Sequence, residues 1–410
     1  MLPPLCEILK NSEILNQASR IFIGFSGGID SAVLLHALNN IENLKSKIFA
    51  IHINHQLQDA AADFEKFCKN FCENLNIKII ILNPSRLINS GESLEAYARE
   101  VRYDCFRSCL ENSQDFLITA HHIDDQAETF LLQLFRGAGL AGLSAMPVLS
   151  DLGAGKLYRP LLNISRNNIK NYAEFFNLKF IEDPSNLDLN LDRNFLRHEI
   201  FPKLKQRYLG LEKNIARSAR HCASAQKLLD QQAGDLLKKI GGELGKKLPL
   251  KLFWDLKKSE QILILRAWLF SFKIILSEAQ IEILLSQKRL RFKNNKKNKN
   301  NFCEIREFQD YFYCLFDGLL EKNTPPLCPL ERQNILWVEG FDPEKTDLTI
   351  LILKTRQGGE IIKLAGSAHH KTLKKLFQER AIPPWVREQV KLLYQEEILV
   401  GVVFPEGFVI

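Results

Sequence analysis

Residues 21–31 read I-F-I-G-F-S-G-G-I-D-S, and this segment restricts the possible folds more than any other stretch of the chain. An apolar, β-branched run enters a glycine pair flanked by hydroxyls and a carboxylate, and the apolar periodicity of residues 32–38 then starts a helix. Strand, tight loop and helix in that order open a parallel sheet covered by helices. Gly27 and Gly28 have no Cβ, so the backbone can turn sharply and aim successive N–H groups at an anion. Ser26 and Ser31 add hydroxyl donors, and the helix N-terminus contributes roughly half a positive charge toward the same point. Asp30 can hold a magnesium ion beside phosphates bound there. Ser26, Gly27, Gly28, Ile29, Asp30 and Ser31 are thus the expected phosphate-binding residues. The plainer alternative is a flexible turn, which the strand before it and the helix after it disfavour. The spacing is neither that of the P-loop, whose lysine is missing here, nor G-x-G-x-x-G.

The first two hundred residues alternate β-branched runs with amphipathic stretches. Strands are expected at residues 21–25, 48–54, 77–82 and 116–120, with helices between them. Such alternation predicts a parallel doubly wound sheet whose ligands bind at the carboxyl ends of the strands. From about residue 206 to residue 320 the pattern is that of a mainly helical domain, with no convincing strand before the basic run. After Pro325 and Pro326, β character returns at residues 348–355 and 398–403, giving a small α+β module over about residues 330–410. No internal repeat is present.

A chain of 410 residues is expected to form two or three domains. Nothing at the start has the basic and apolar regions of a signal peptide, and the greasy segment 261–276 is broken by Arg266 and Lys273, so no membrane span is expected. Nine cysteines, scattered and odd in number, do not make a disulfide framework, and a reducing cytoplasm fits them. Cys68/Cys72 and Cys105/Cys109 lack C-x-x-C spacing and read as small core residues. The net charge of +7 is local, since seven basic residues and no acidic one lie between Lys288 and Lys299. That run reads equally as a solvated linker or as a contact for a polyanion.

The second chemical constellation is T-A-H-H-I-D-D-Q-A-E-T-F at residues 119–130, a strand end running into a helix. His121, Asp125 and Glu128 are spaced four and then three apart, so a helix carries them on one face. Two carboxylates and an imidazole can bind a cation, orient an amine or accept a proton. The structural alternative is a pair of acids stabilising a first helical turn.

The motifs taken together resemble those of the tRNA(Ile)-lysidine synthases, a family of N-type ATP pyrophosphatases. The matching segments are S-G-G-I-D-S at 26–31, H-I-N-H at 52–55, S-L-E-A-Y-A-R-E-V-R-Y at 93–103, T-A-H-H-I-D-D-Q-A-E-T at 119–129, R-G-A-G-L-A-G-L-S-A-M-P at 136–147, R-P-L-L at 159–162, D-P-S-N at 183–186, D-R-N-F-L-R-H-E-I at 192–200 and K-L-F-Q-E-R-A-I-P-P-W-V-R-E at 375–388. They span nearly the whole chain in the right order. The resemblance implies an adenine nucleotide alpha hydrolase-like catalytic domain over residues 1–205, a helical tRNA- or substrate-binding domain over 206–320 and a tRNA-binding module over 330–410.

It further implies a two-step ligation. ATP, as substrate with Mg2+, adenylates the C2 oxygen of the wobble cytidine in tRNA(Ile) with a CAU anticodon, and the ε-amine of free L-lysine then displaces AMP. Decoding changes from AUG to AUA. Carried over residue by residue, Ser26, Gly27, Gly28 and Ser31 hold phosphates, Asp30 binds magnesium, and His121, Asp125 and Glu128 serve the reaction centre, with the carboxylates receiving lysine's ammonium or a second metal. Arg99 neutralises developing phosphate charge, with a surface salt bridge to Glu95 or Glu100 as the alternative. Arg193, Asn194 and Arg197 contact lysine or RNA, or form only a solvated helix face. Lys371, Lys374, Lys375, Arg380 and Arg387 are the expected tRNA contacts of the last module, beside Trp385, which reads equally as a stacking surface or as core. A homodimer is compatible with this reading.

Three features depart from the family pattern: Gln56 and Gln58 replace a glycine and an arginine, Ala138 stands where serine is common, and the lysine- and asparagine-rich run at 293–301 looks like a lineage-specific insertion. The rival readings are a tRNA thiolase of the same fold, a small-molecule amide synthetase and a noncatalytic RNA-binding protein. No cysteine lies in a catalytic motif to suit the first, the two further basic domains are superfluous for the second, and a magnesium carboxylate in a phosphate loop is superfluous for the third.

Overall fold

The computed structural model of the chain describes residues 4–54, 61–84, 94–293, 302–316, 335–341, 351–364, 367, 369–380 and 382–404. It divides into two compact units, Met1–Leu228 and Leu229–Ile410.

The first unit is built on a six-stranded sheet in the order β3-β2-β1-β4-β6-β5. The strands are β1 Arg20–Gly24, β2 Ile48–Ile53, β3 Lys78–Leu82, β4 Asp115–Ile118, β5 Leu149–Leu152 and β6 Gly155–Tyr158. β1, β2, β3, β4 and β6 run parallel, and β5 pairs antiparallel with β6. All four strands expected from the sequence are present within one or two residues of the expected bounds. Their alternation explains the two-sided burial. Ile21, Ile23, Ile48, Ala50, Phe116 and Ile118 enter the apolar cluster on one face, while Phe22, Ile51 and Leu117 enter that on the other. A sheet buried on both faces carries apolar residues at nearly every position, which is why these runs read as continuous rather than alternating. β1 pairs with β2 on one side and β4 on the other, so the chain reverses its direction of strand addition at β1. That switch point opens a crevice at the carboxyl ends of β1 and β4.

The second unit holds two four-stranded antiparallel sheets and a two-stranded one. The first sheet, ordered β7-β10-β9-β8, comprises β7 Leu248–Pro249, β8 Arg289–Lys293, β9 Phe302–Phe308 and β10 Tyr311–Phe316. It shares an apolar core with the helices Lys258–Ser271 and Glu278–Gln287, centred on Trp268, Phe253 and Phe312. The second sheet, β11-β16-β15-β12, comprises β11 Ile335–Trp337, β12 Ile352–Thr355, β15 Lys391–Gln395 and β16 Ile398–Val403. The pair β13 Ile361–Ile362 and β14 Lys371–Thr372 leads into the helix Leu373–Glu379.

Residues 206–320 are thus mainly helical, as expected, as far as the basic run, where the longer strands begin. The long helix Leu211–Lys239 and the two that follow agree with the periodicity, but β8, β9 and β10 form an antiparallel sheet within this stretch. The hairpin between β9 and β10 turns on Gln309 and Asp310, both with positive φ (46° and 61°), without the glycine that usually marks such a turn. Charges inside β9 also blur its pattern: Glu304 is fully buried, held by Arg289 and Arg306 at 2.5 and 2.6 Å. β8 and β9 are neighbours in register, with Lys293 opposite Phe302.

Cys68 and Cys72 are buried and Cys105 and Cys109 partly so, all with free thiols, in line with their reading as packing residues. Segment 261–276 falls mostly in the helix Lys258–Ser271, and among the described residues no helix is long and apolar enough to cross a membrane. His55, Gln56 and Gln58, the run 294–301, Pro325, Pro326 and residues 348–350 lie outside the described residues.

Candidate active site

The loop after β1 and the segment after β4 meet at the switch point of the first unit, because Ile23 and Ile118 are register partners. Phe25 N–H still donates to Ile51 O at 2.8 Å, and then the chain leaves the sheet. Gly27 turns it with φ +87°, a conformation that L side chains rarely adopt. The side beneath Gly27 is closed, since a Cβ there would lie 3.2 Å from Cys68 Sγ and 3.4 Å from Phe67 Cδ1. His52, buried at the end of β2, supports the same loop through Nδ1, 2.9 Å from Phe25 O and 3.4 Å from Cys68 Sγ.

Inside the loop the hydroxyls hold one another. Ser26 Oγ and Ser31 Oγ are 3.2 Å apart, Ser26 N–H donates to Ser31 Oγ at 3.3 Å, Gly28 N–H donates to Ser26 Oγ at 3.3 Å, and Ser31 donates to Gly28 O at 3.0 Å. Gly28 caps the helix Ile29–Asn39 with extended backbone. The expected phosphate residues are thus gathered on one tight turn at a helix N-terminus, the geometry that binds anions.

Across the crevice the helix begins at Ile123, two residues too late for His121 to share its face. Asp125 and Glu128 lie on it, whereas His121 precedes it and shares a 2.8 Å hydrogen bond between Nδ1 and Thr119 Oγ1. Burial lowers the pKa of His121, and Arg159, Arg99 and Arg193 add to the effect against the pull of Asp125. Its imidazole is neutral near pH 7.

His122, which sequence reading passed over, is the histidine that faces the phosphate loop. Its side chain is 2% exposed, and it lies 3.7 Å from Asp30 Oδ1, 3.5 Å from Asp125 Oδ2 and 3.5 Å from Asp124 Oδ2. Burial alone would lower its pKa, but the three carboxylates more than reverse this and raise it. The only signal in the sequence was the doubled histidine before D-D, which does not say which ring turns inward.

Arg197 lies on the other side of the carboxylates. Its Nε donates to Glu128 Oε1 at 2.8 Å, and Nη2 donates to Glu128 Oε2 at 2.9 Å and to Asp125 Oδ1 at 3.3 Å. Burial still raises the Glu128 pKa despite this guanidinium, whereas Asp125, beside His122, His121 and Arg197, is held below the usual carboxylate range. Arg193 Nη2 donates to Thr129 Oγ1 at 3.3 Å, and the buried Asn194 donates to Asp188 O at 2.9 Å. Arg99 is exposed, its guanidinium 5.1 Å from the Tyr103 ring centroid, and its charge reaches His121. A cavity of about 460 Å³ adjoins the cluster, and Asp124, Glu128, Arg166, Lys170, Arg197 and Lys213 are among its walls.

Asp30 Oδ1 is buried without a hydrogen-bond partner, and burial, followed by Asp125, raises the Asp30 pKa. An orphaned carboxylate oxygen beside a phosphate loop fits a magnesium ion, which is commonly held by one or two carboxylates together with substrate phosphates and water. Among the described residues no group of three or more His, Cys, Asp or Glu forms a metal cage, and a phosphate-bridged ion does not need one.

In the second unit, Lys374, Lys375 and Arg380 are exposed, Lys371 pairs with Glu379 at 2.7 Å, and Arg387 Nε donates to Ile382 O at 2.6 Å. Arg387 therefore braces its own turn. Trp385 packs edge-on against Phe308 and Tyr313, with ring centroids 5.5 and 5.7 Å away.

Residues 5–204 match a family described as the PP-loop domain, and residues 351–404 match the TilS substrate C-terminal domain. The tRNA(Ile)-lysidine synthase of Coxiella burnetii (strain RSA 493 / Nine Mile phase I) is 38% identical, over 98% of this chain and 93% of that protein. That of Legionella pneumophila (strain Paris) is 36% identical over 95% and 92%. That of Methylococcus capsulatus (strain ATCC 33009 / NCIMB 11132 / Bath) is 35% identical over 92% and 89%.

Proposed function

The chain belongs to the tRNA(Ile)-lysidine synthase family, and from this premise we propose how its residues carry out an ATP-dependent ligation of lysine to the wobble cytidine of tRNA(Ile) with a CAU anticodon. The observation that carries the proposal is the meeting of a phosphate loop, Ser26 to Ser31, with the carboxylates of the half-buried Asp30 and Asp125 and the buried Glu128 at one switch point.

In the first step the loop's N–H groups and hydroxyls bind the phosphates of ATP, and the C2 oxygen of cytidine attacks the α-phosphorus as pyrophosphate leaves. Asp30 would hold magnesium together with those phosphates, and the ion would supply charge neutralisation. Arg99 approaches the same negative charge from the side of His121. In the second step the ε-amine of lysine attacks C2 and AMP departs with the oxygen. Asp125 and Glu128 draw in the ammonium, and the neutral His121 accepts its surplus proton.

Residues 1–205 perform this chemistry, while 206–320 and 330–410 hold the RNA through exposed cations such as Lys374, Lys375 and Arg380. The cytoplasm, where ATP, lysine and tRNA meet, is the proposed compartment, supported by the free thiols. The test is incubation of the protein with ATP, magnesium, tRNA and radiolabelled lysine. Pyrophosphate and AMP formed only with tRNA, together with label fixed in the RNA, is the expected result. Pyrophosphate without label would refute the nucleophile.

A further inference from the structure

The carboxylates proposed to receive lysine's ammonium already hold a cation that belongs to the protein. Glu128 is 2% exposed and accepts two parallel bonds from Arg197, whose Nη2 also reaches Asp125. We propose that Arg197 is a resident counter-ion that free lysine must displace, so that it determines which cations the site admits. This rests on the assignment of Glu128 and Asp125 to the amine.

Three observations support an exchange. The first is position: the Arg197 side chain keeps 24% of its surface exposed, on the wall of the cavity of about 460 Å³ that also reaches Glu128, so an incoming cation and a departing guanidinium have room to pass. The second is the backbone. Arg197 lies in a single π-helical turn, Leu196–Ile200, between the helices Asp192–Phe195 and Phe201–Arg207. Such turns interrupt regular helix and are frequent at functional sites. Leu196 and Phe201 anchor the turn in an apolar cluster with Ala127, which leaves the guanidinium as its movable part.

The third is charge. A buried carboxylate stripped of its partner is strongly destabilised, whereas exchanging one cation for another leaves no charge uncompensated. Lysine's ammonium, with three donors, can replace what the fork provides. A cation with fewer or weaker donors cannot repay the loss of a bidentate pair, and this is the basis of selection.

The experiment is calorimetric titration of L-lysine into the parent protein and into Arg197→Met, which keeps an apolar stem and removes the charge. Lysine is expected to bind Arg197→Met about tenfold more tightly, the equivalent of one charge-assisted hydrogen bond that no longer has to be displaced. Methylguanidinium is expected to compete with lysine in this variant and not in the parent, where its place is filled. Weaker or unchanged lysine binding in Arg197→Met, or binding restored by methylguanidinium, would overturn the proposal, because either means that Arg197 stays in place when lysine is bound. Arg197→Lys retains a charge if the methionine variant does not fold, and its weaker, single ammonium predicts tighter lysine binding than in the parent; weaker binding there would also overturn it. Pyrophosphate release by the parent with tRNA and no lysine reports on the ligase reading separately, since the titrations involve no turnover.

Discussion

Replacing Gly27 with alanine tests the phosphate loop at its narrowest point. The residue holds φ +87°, and an L side chain in that left-handed region costs roughly 1–2 kcal/mol. The new methyl would lie 3.2 Å from Cys68 Sγ and 3.4 Å from Phe67 Cδ1. Cys68 is fully buried and cannot swing aside, so the crowding adds about 1 kcal/mol, the low end of the overpacking range. A total loss of about 2–3 kcal/mol is expected in urea unfolding. Only the crowding is relieved in Gly27→Ala/Cys68→Ala, so the double-mutant cycle should show a favourable coupling of about 1 kcal/mol. Because a misplacement of about 1 Å costs roughly a hundredfold in rate, a shift of a few tenths of an ångström should lower kcat/KM for ATP by about tenfold in the pyrophosphate-release assay. A Gly27→Ala protein within about 0.5 kcal/mol of the parent, with unchanged kcat/KM, would refute the reasoning. Zero coupling would show that Cys68 is not what the methyl meets.

Three further perturbations separate the parts of the site. Asp30→Asn should abolish tRNA-dependent pyrophosphate release while tRNA binding, measured by filter retention, persists; because burial disfavours the ionised form of Asp30, the variant should unfold at no lower temperature than the parent. Glu128→Gln should keep pyrophosphate release with tRNA and lose labelled lysine from the RNA, and loss of both would place Glu128 in the first step. Asp115, fully buried and bonded to Arg20 and to the N–H groups of Glu111 and Asn112, is held below its ordinary pKa although burial alone would raise it. Its contribution is therefore complete above the unfolded value of about 3.9 and is lost as pH falls through the lower folded value, so Asp115→Asn should cost about 2 kcal/mol at neutral pH and progressively less in acid. Equal losses at both pH values would count against this linkage.

Much of the catalytic unit could be read from the sequence because its signals are local. Ile21 to Ser31 encode strand, turn and helix within one short segment, and the β1–β4 adjacency follows from the way such units wind. What could not be read depends on orientation or long-range pairing. His121 and His122 are consecutive, and only the helix start at Ile123 decides which ring faces Asp30. The pairing of Arg197 with Glu128 joins residues 69 positions apart. In the second unit, Glu304 breaks the alternation of β9 yet is buried, because Arg306 two residues on and Arg289 from the paired strand β8 both hold it, and only the pairing brings Arg289 there. Arg387 resembled a surface cation, and its bond to Ile382 O is visible only in three dimensions.

The register of β8 and β9 bears on how chains of this kind diverge. With Lys293 already opposite Phe302, the two strand ends are brought together by the sheet and not by the eight residues that join them. The free energy of closing a loop changes by only about 0.6 kcal/mol for each doubling of its length. Lengthening or shortening this connection is therefore almost neutral for folding, and drift in its length and charge can accumulate without passing through an unstable ancestor. The same tolerance makes the connection a natural place to graft a peptide tag or a fluorophore-bearing cysteine at little cost to the pairing of β8 with β9.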